Sequence, residues 1–213
     1  MGVDVADDKF LNSKRVSAMM AVIRLYSIAF QRRELLTPCC VPDEGPALVV
    51  ANHTAGLDPI VIQSSCKRPI FWIMDKAYYE QKSLMWLLRW AHMIPIDRTQ
   101  PDSGAWRFAL KTLRAGHVVG VFPEGRIERE RELMPFQPGI AMLAASQGVP
   151  VCPIYIDGPQ RNRSMLRCYL TRQRPTLRWG TLTPTKKQKL SRDGQVEWTA
   201  ELQASIEALK QQM

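Results

Sequence analysis

The sequence lacks the marks of a disulfide scaffold. Its five cysteines, Cys39, Cys40, Cys66, Cys152 and Cys168, are odd in number and contain no C-x-x-C pair. A stapled secreted fold is therefore disfavoured, and a reducing compartment is the expected setting. Histidine is scarce, with three residues in 213, and no run of His, Cys, Asp or Glu has metal-ligand spacing. No metal and no resident cofactor are expected. Neither a G-x-S-x-G elbow nor a G-x-x-x-x-G-K-[ST] loop occurs, which removes the usual serine nucleophile and the usual phosphate loop. At the start, Asp4, Asp7 and Asp8 stand where a secretory leader carries basic and then apolar residues. Ala6 occupies the place where a myristoylation signal has Ser or Thr.

Long apolar runs suited to a membrane span are also missing. The longest uncharged stretch, residues 133–156, is cut by Pro135, Pro138, Pro150, Pro153, Gly139 and Gly148. It reads as interior, one helix-length and one strand-length piece. Residues 16–30 are more apolar, flanked by Lys14-Arg15 and Arg32-Arg33. A helix there reaches only about 22 Å, short of the roughly 30 Å hydrocarbon core, and Arg24 sits in its middle. It is expected to lie in a membrane interface or to pack on the domain, and sequence alone leaves both open. Residues 84–93, with Trp86 and Trp90 around Arg89, suit either a headgroup level or a buried cation–π contact; burial is the preferred reading.

What the chain does have is a globular composition, 46% apolar and 23% charged, and an excess of base, 29 Lys and Arg against 20 Asp and Glu. The resulting charge of +9 predicts an anionic partner without naming it. Ten basic residues and no acidic one lie within 161–192, which favours a functional anionic contact there. Nucleic acid is not the expected partner. Trp72, Trp86, Trp90, Trp106, Trp179 and Trp198 sit mostly within apolar patterns, and no nucleic-acid fold signature is present.

Strand-like runs at 47–51, 70–74, 93–96, 117–122 and 151–156 alternate with helical stretches near 59–66, 77–91, 102–115 and 138–147. Asp102-Ser103 caps the third of those helices and Gly116 stops it. This rhythm predicts an α/β fold, a single layered domain with a mostly parallel central sheet flanked by helices. An N-terminal amphipathic helical segment (residues 1–40) precedes the main domain (41–213). Toward the C-terminus, 165–170 and 176–182 are expected as edge strands, and 196–211 as a closing amphipathic helix.

Open α/β sheets hold their sites at the carboxyl ends of strands. Three strand ends carry chemistry in turn: Asn52-His53 with Asp58, then Asp97-Arg98, then Pro123-Glu124-Gly125-Arg126. Asp58 folded back onto one imidazole nitrogen of His53 would fix the tautomer and leave the other nitrogen to take a proton. A blander assignment makes Asp58 the cap of the 59–66 helix and His53 incidental, and the two roles of Asp58 are compatible. A His–Asp pair without a serine implies that the attacking hydroxyl comes from the substrate. Arg98 and Arg126 are the phosphate binders at hand.

In four ordered blocks the sequence resembles the glycerolipid acyltransferases, the group containing 1-acyl-glycerol-3-phosphate and other lysophospholipid acyltransferases. The blocks are Asn52-His53 to Asp58, Ile96-Asp97-Arg98, Phe122-Pro123-Glu124-Gly125-Arg126 and Val149-Pro150-Val151-Cys152-Pro153. The likeness extends over about residues 45–160. It implies His53 as general base and Asp58 as its orienting partner. It implies Arg98, Glu124, Gly125 and Arg126 around the acceptor's phosphate and glycerol, with Pro150 bordering the acyl groove. It further implies acyl-CoA or acyl carrier protein as co-substrate, a lysophospholipid acceptor, and an anionic membrane surface as partner. The expected location is the cytoplasmic face of a membrane, peripheral or monotopic. Many family sequences place Thr or Ser between the glycine and the arginine. Here Arg126 follows Gly125 directly, a form similar to the 2-acylglycerophosphoethanolamine branch, so the headgroup stays open. A catalytically silent lipid-binding relative of the same fold remains the alternative.

Overall fold

A computed structural model describes residues 13–76, 93–97, 103–128, 130, 132–159 and 165–213. The expected helix over 77–91, most of the 84–93 candidate, Arg98 and the Asp102 cap lie outside the described residues. The first element among the described residues is helix α1 (Lys14–Leu25), whose first turn is capped by the Ser13 hydroxyl accepting from the Val16 amide at 3.4 Å. It runs on as a π-helical turn, Tyr26–Phe30, and then forms the short strand β1 (Glu34–Leu35). There follow β2 (Ala47–Ala51), α2 (Asp58–Gln63), β3 (Ile70–Asp75) and β4 (Ile94–Ile96). Next come α3 (Ser103–Arg114), β5 (Val118–Val121), α4 (Gly139–Ala145) and β6 (Val151–Asp157). The chain closes with α5 (Met165–Leu170), β7 (Thr176–Trp179) and α6 (Arg192–Gln211).

Among the described residues seven strands make one sheet in the order β1-β7-β6-β2-β5-β3-β4. All neighbours pair in parallel except β6 and β7, which are antiparallel. The central strands are apolar on both sides because both sides are covered, as parallel sheets require. Leu48 and Val50 of β2 face the core under α3, α4 and α6, alongside Ala109, Leu143 and Ile206. Ala47, Val49 and Ala51 face the opposite core, with Val61 and Ile62 of α2 and Cys168 of α5. The result is a three-layer α/β/α arrangement. Gly116, at φ +84°, ends the turn after α3, where a left-handed residue is needed.

Two expectations at the C-terminus are corrected. Residues 165–170 form helix α5, not an edge strand, with the Thr171 amide bonded back to the Arg167 carbonyl at 3.0 Å. A short apolar run carries no decisive period, so strand and helix read alike until a neighbour is known. Strand β7 is shorter than 176–182 and is not at the edge, because β1 lies outside it. Strand β1 itself went unread within the N-terminal segment. Its two residues are a strand only because β7 offers backbone partners: the Glu34 amide meets the Pro175 carbonyl and the Leu36 amide the Leu177 carbonyl, each at 2.9 Å.

Candidate active site

Strands β2 and β5 are direct neighbours, so the loops leaving their carboxyl ends share one rim of the sheet. The chain passes from β5 across β2 to β6 at this point, the kind of switch in strand order where open sheets hold ligands. Asn52 fixes the exit of β2. Its side-chain amide donates to the Ile156 carbonyl at 2.9 Å, and its oxygen accepts from the Ile156 amide at 2.8 Å. Sequence reasoning gave Asn52 no role of its own, since its partner lies 104 residues away.

Past Asn52 the backbone turns and Asp58 opens α2, with Leu57 at the cap position. The Asp58 carboxylate does not cap its own helix; it reaches back over the loop. Oδ2 accepts from Nδ1 of His53 at 2.9 Å, from the Thr54 amide at 2.6 Å and from the Ala55 amide at 2.8 Å. Oδ1 accepts from the Thr54 hydroxyl at 2.9 Å. A carboxylate with no solvent exposure at all needs such a full set of donors, and this loop supplies four. With Nδ1–H donating to the acid, the neutral imidazole carries its lone pair on Nε2. Among the described residues nothing bonds that second nitrogen, and the side chain keeps 14% of its surface open.

The β5 loop holds the histidine from the other side. The His53 ring stacks on Phe122 at 4.1 Å between centroids, and Phe122 stacks on Trp72 at 4.7 Å. This column ties the imidazole to the core, each stacked pair adding roughly 0.5–1.5 kcal/mol. Gly120 makes room for it: a Cβ there would sit 2.5 Å from the Trp72 ring. The His53 amide donates to Oε1 of Glu124 at 3.0 Å, and the His53 carbonyl accepts from the Glu128 amide at 2.8 Å. Both backbone groups of His53 are therefore held by the loop after β5.

The remaining expected residues divide. Glu124 joins the site, though among the described residues its carboxylate meets the His53 and Met134 amides and not Arg126. Gly125 shapes the turn at φ +74°, with the Gln137 side chain occupying the space a Cβ would take. Arg126 is exposed on the same loop, its Nε directed at the Met134 sulfur at 3.1 Å. Pro150 is not brought to the site. It precedes β6 and accepts from the Leu48 amide at 2.9 Å, at the amino end of the sheet. The length of β2, roughly 16 Å, separates that level from His53. Asp97 follows β4, two strands from β5, and Arg98 lies outside the described residues. Of the basic stretch, Arg172 donates to the Phe30 carbonyl at 2.8 Å and Arg178 to the Gln212 carbonyl at 2.6 Å.

Burial raises the Glu124 pKa from 4.5 to about 7, against the two amide bonds that favour its anion. The fold thus prefers the protonated carboxyl. That preference contributes fully to stability below about pH 4.5 and is lost as pH climbs through about 7. The loss is about 3 kcal/mol at most. Unfolding free energies measured from pH 5 to 8 are expected to fall more steeply for the wild type than for Glu124→Gln. Equal slopes would remove Glu124 as the cause.

A family model described as Acyltransferase matches residues 27–157. The chain is 23% identical over 128 residues to the 1-acyl-sn-glycerol-3-phosphate acyltransferase of Bacillus subtilis strain 168, covering 60% of this chain and 63% of that one. It is 29% identical over 119 residues to a probable 1-acyl-sn-glycerol-3-phosphate acyltransferase of Mycoplasma genitalium, covering 53% and 44% respectively. The chain thus spans less than two thirds of the length of either curated relative. In overall fold it is similar to the crystal structure of the 1-acyl-sn-glycerophosphate acyltransferase PlsC from Thermotoga maritima. That likeness has a TM-score of 0.72 at 21% identity, over 95% of this chain and 84% of that one.

Proposed function

Because the chain belongs to the acyltransferase family, we propose that it moves a fatty acyl group from a thioester to the free hydroxyl of a lysophospholipid. The thioester is acyl-CoA or acyl carrier protein, and the relatives' names make 1-acyl-glycerol-3-phosphate the first acceptor to test. The observation that carries the reading is the His53 ring, anchored at Nδ1 by buried Asp58 and, among the described residues, unbonded at Nε2. In this mechanism Nε2 takes the proton of the acceptor hydroxyl while its oxygen attacks the thioester carbonyl carbon. The tetrahedral oxyanion collapses, the carbon–sulfur bond breaks, and the imidazolium returns its proton to the departing thiolate. Asp58 stabilises the imidazolium and keeps the tautomer.

The loop amides of Thr54 and Ala55 are engaged by Asp58, so the oxyanion falls to other donors, the Gly56 amide being the nearest in the loop. Arg126, exposed beside the loop that holds His53, suits the acceptor's phosphate. Arg98 is assigned the same task from the sequence. Purified protein incubated with labelled acyl-CoA and a panel of lysophospholipids, read by mass spectrometry, tests the reaction; no acylated product with any donor and acceptor overturns it.

A membrane surface is the natural source of such an acceptor, and the N-terminal arm fits one. No helix among the described residues is long and apolar enough to cross a bilayer. One side of the arm packs on the domain. Val16 is buried, Arg24 donates to the Ser64 and Cys66 carbonyls at 3.4 Å, and the Tyr26 hydroxyl donates to the Tyr169 carbonyl at 2.7 Å. The other side is open, with Val22 65% and Leu25 67% exposed, Ile28 and Phe30 beyond them, and Lys14, Arg15 and Arg32 alongside. Apolar side chains with basic neighbours make a two-part signal for peripheral docking. The double variant Val22→Asp, Leu25→Asp is expected to bind vesicles of anionic phospholipid at least about tenfold more weakly, since each side chain forfeits roughly 1.5–3 kcal/mol of burial. Unchanged sedimentation with the vesicles would assign docking to another surface.

A further inference from the structure

At the amino end of the sheet, away from His53, the linker between β1 and β2 brings two thiols to the core under α2. Cys39 and Cys40 are half-buried, while Cys66 and Cys152 are fully buried. The Cys39 and Cys66 sulfurs stand 3.2 Å apart, in hydrogen-bond contact. The Cys152 thiol points to the Cys40 carbonyl at 3.7 Å. Among the described residues no three His, Cys, Asp or Glu groups converge as a metal site. The close pair therefore reads as thiol chemistry.

We propose that Cys39 and Cys66 are a reversible disulfide site, closed by a hydroperoxide and reopened by a dithiol. The two sulfurs already touch, so bond formation needs an approach of little more than an ångström, given a sulfur–sulfur bond of about 2.05 Å. The roles of the two thiols differ. Cys39 is the accessible one, and the hydrogen bond from Cys66, with the Lys67 charge assisting, holds its pKa below the ordinary thiol range. Cys66 is buried, which pushes its own pKa well up. A thiolate at Cys39 attacks the peroxide, the oxygen–oxygen bond breaks, and Cys39 becomes a sulfenic acid as hydroxide leaves. The Cys66 sulfur then attacks the Cys39 sulfur; the sulfenic oxygen departs with the Cys66 proton as water, and the disulfide remains. Two thiols are oxidised and one peroxide is reduced.

The bond encloses residues 39–66, which carry β2, His53, Asp58 and α2 entire. It joins the linker to the end of α2, where Arg24 of the N-terminal arm also holds the Cys66 carbonyl. The site stands on the thiols' geometry and does not depend on the acyl-transfer reading.

Fully reduced full-length protein treated with hydrogen peroxide, alkylated and digested without reductant tests it. Mass spectrometry is expected to find the Cys39 and Cys66 peptides joined, lighter by the two hydrogens lost, and separated again by dithiothreitol. The oxidised protein is expected to melt roughly 5–10 °C higher, because the bond restricts a long loop of the unfolded chain. Cys39→Ser abolishes both effects, and Cys66→Ser leaves a Cys39 sulfenic acid that dimedone traps. Cys40→Ser leaves the link and the melting shift in place. A Cys39 sulfenic acid that persists in the wild type, or a Cys40–Cys152 link in place of the Cys39–Cys66 one, overturns the proposal.

Discussion

Replacing His53 by alanine is expected to lower turnover by about 10²–10⁴-fold, the range that a positioned general base supplies. The ring contributes one face to Phe122 and one nitrogen to Asp58, and its backbone bonds to Glu124 and Glu128 do not involve the side chain. The variant therefore keeps its fold and its vesicle binding, with a stability loss of about 1–3 kcal/mol because Asp58 gives up one donor and Phe122 one stacked ring. KM for the lysophospholipid is expected to change little, since in the proposed mechanism the imidazole acts on the hydroxyl proton and not on the phosphate. Steady-state assays with acyl-CoA and lysophosphatidate measure the split. Wild-type turnover in the alanine variant would place the base elsewhere, and a pure lipid binder would show no turnover in either protein.

Asp58→Ala is expected to be the most destabilising single change at the site. It strips the acceptor from the Thr54 and Ala55 amides, the Thr54 hydroxyl and the His53 ring together. An unsatisfied buried donor costs about 1–3 kcal/mol, and water entering the space relieves part of it. A net loss of about 3–5 kcal/mol is the expected result by denaturant titration. Asp58→Asn separates scaffold from charge. Its carbonyl can take the place of Oδ2 and its amide can donate to the Thr54 hydroxyl, so every loop bond has a substitute. What it lacks is the negative charge beside the imidazolium. Its turnover is expected to fall about 10–10²-fold, the difference between a charged and a neutral hydrogen-bond partner, with most of the stability retained. An asparagine variant as active as the wild type would show that His53 works without an anion.

Much of this could be read from the residues. Ala47–Ala51 is legible as a strand because a short apolar run with two β-branched valines ends at a polar turn. The expected His53–Asp58 contact followed from a loop after a buried strand. Glu124 shows where such reading stops. The resemblance implies a place for it beside the acceptor's phosphate and glycerol, whereas the carboxylate reaches the His53 amide 71 residues away. That contact exists only because β5 pairs with β2, and strand order is not written in any local pattern. The same cause hid β1 and the Asn52 clamp. Pro150 belongs to the motif but enters β6 at the amino end of the sheet, and a residue entering a parallel strand is remote from the rim where its neighbours' loops gather.

The strand order has a consequence for synthesis. β5 wedges between β2 and β3, which are made earlier and do not pair with each other. Until a ribosome has translated past residue 121, a nascent polypeptide holds two apolar strands with a vacant slot between them. For an interval of order seconds, those unsatisfied edges are open to capture by other chains. Chaperone demand is therefore expected to be greatest in the interval before β5 is added, and fragments ending before β5 to be the aggregation-prone ones.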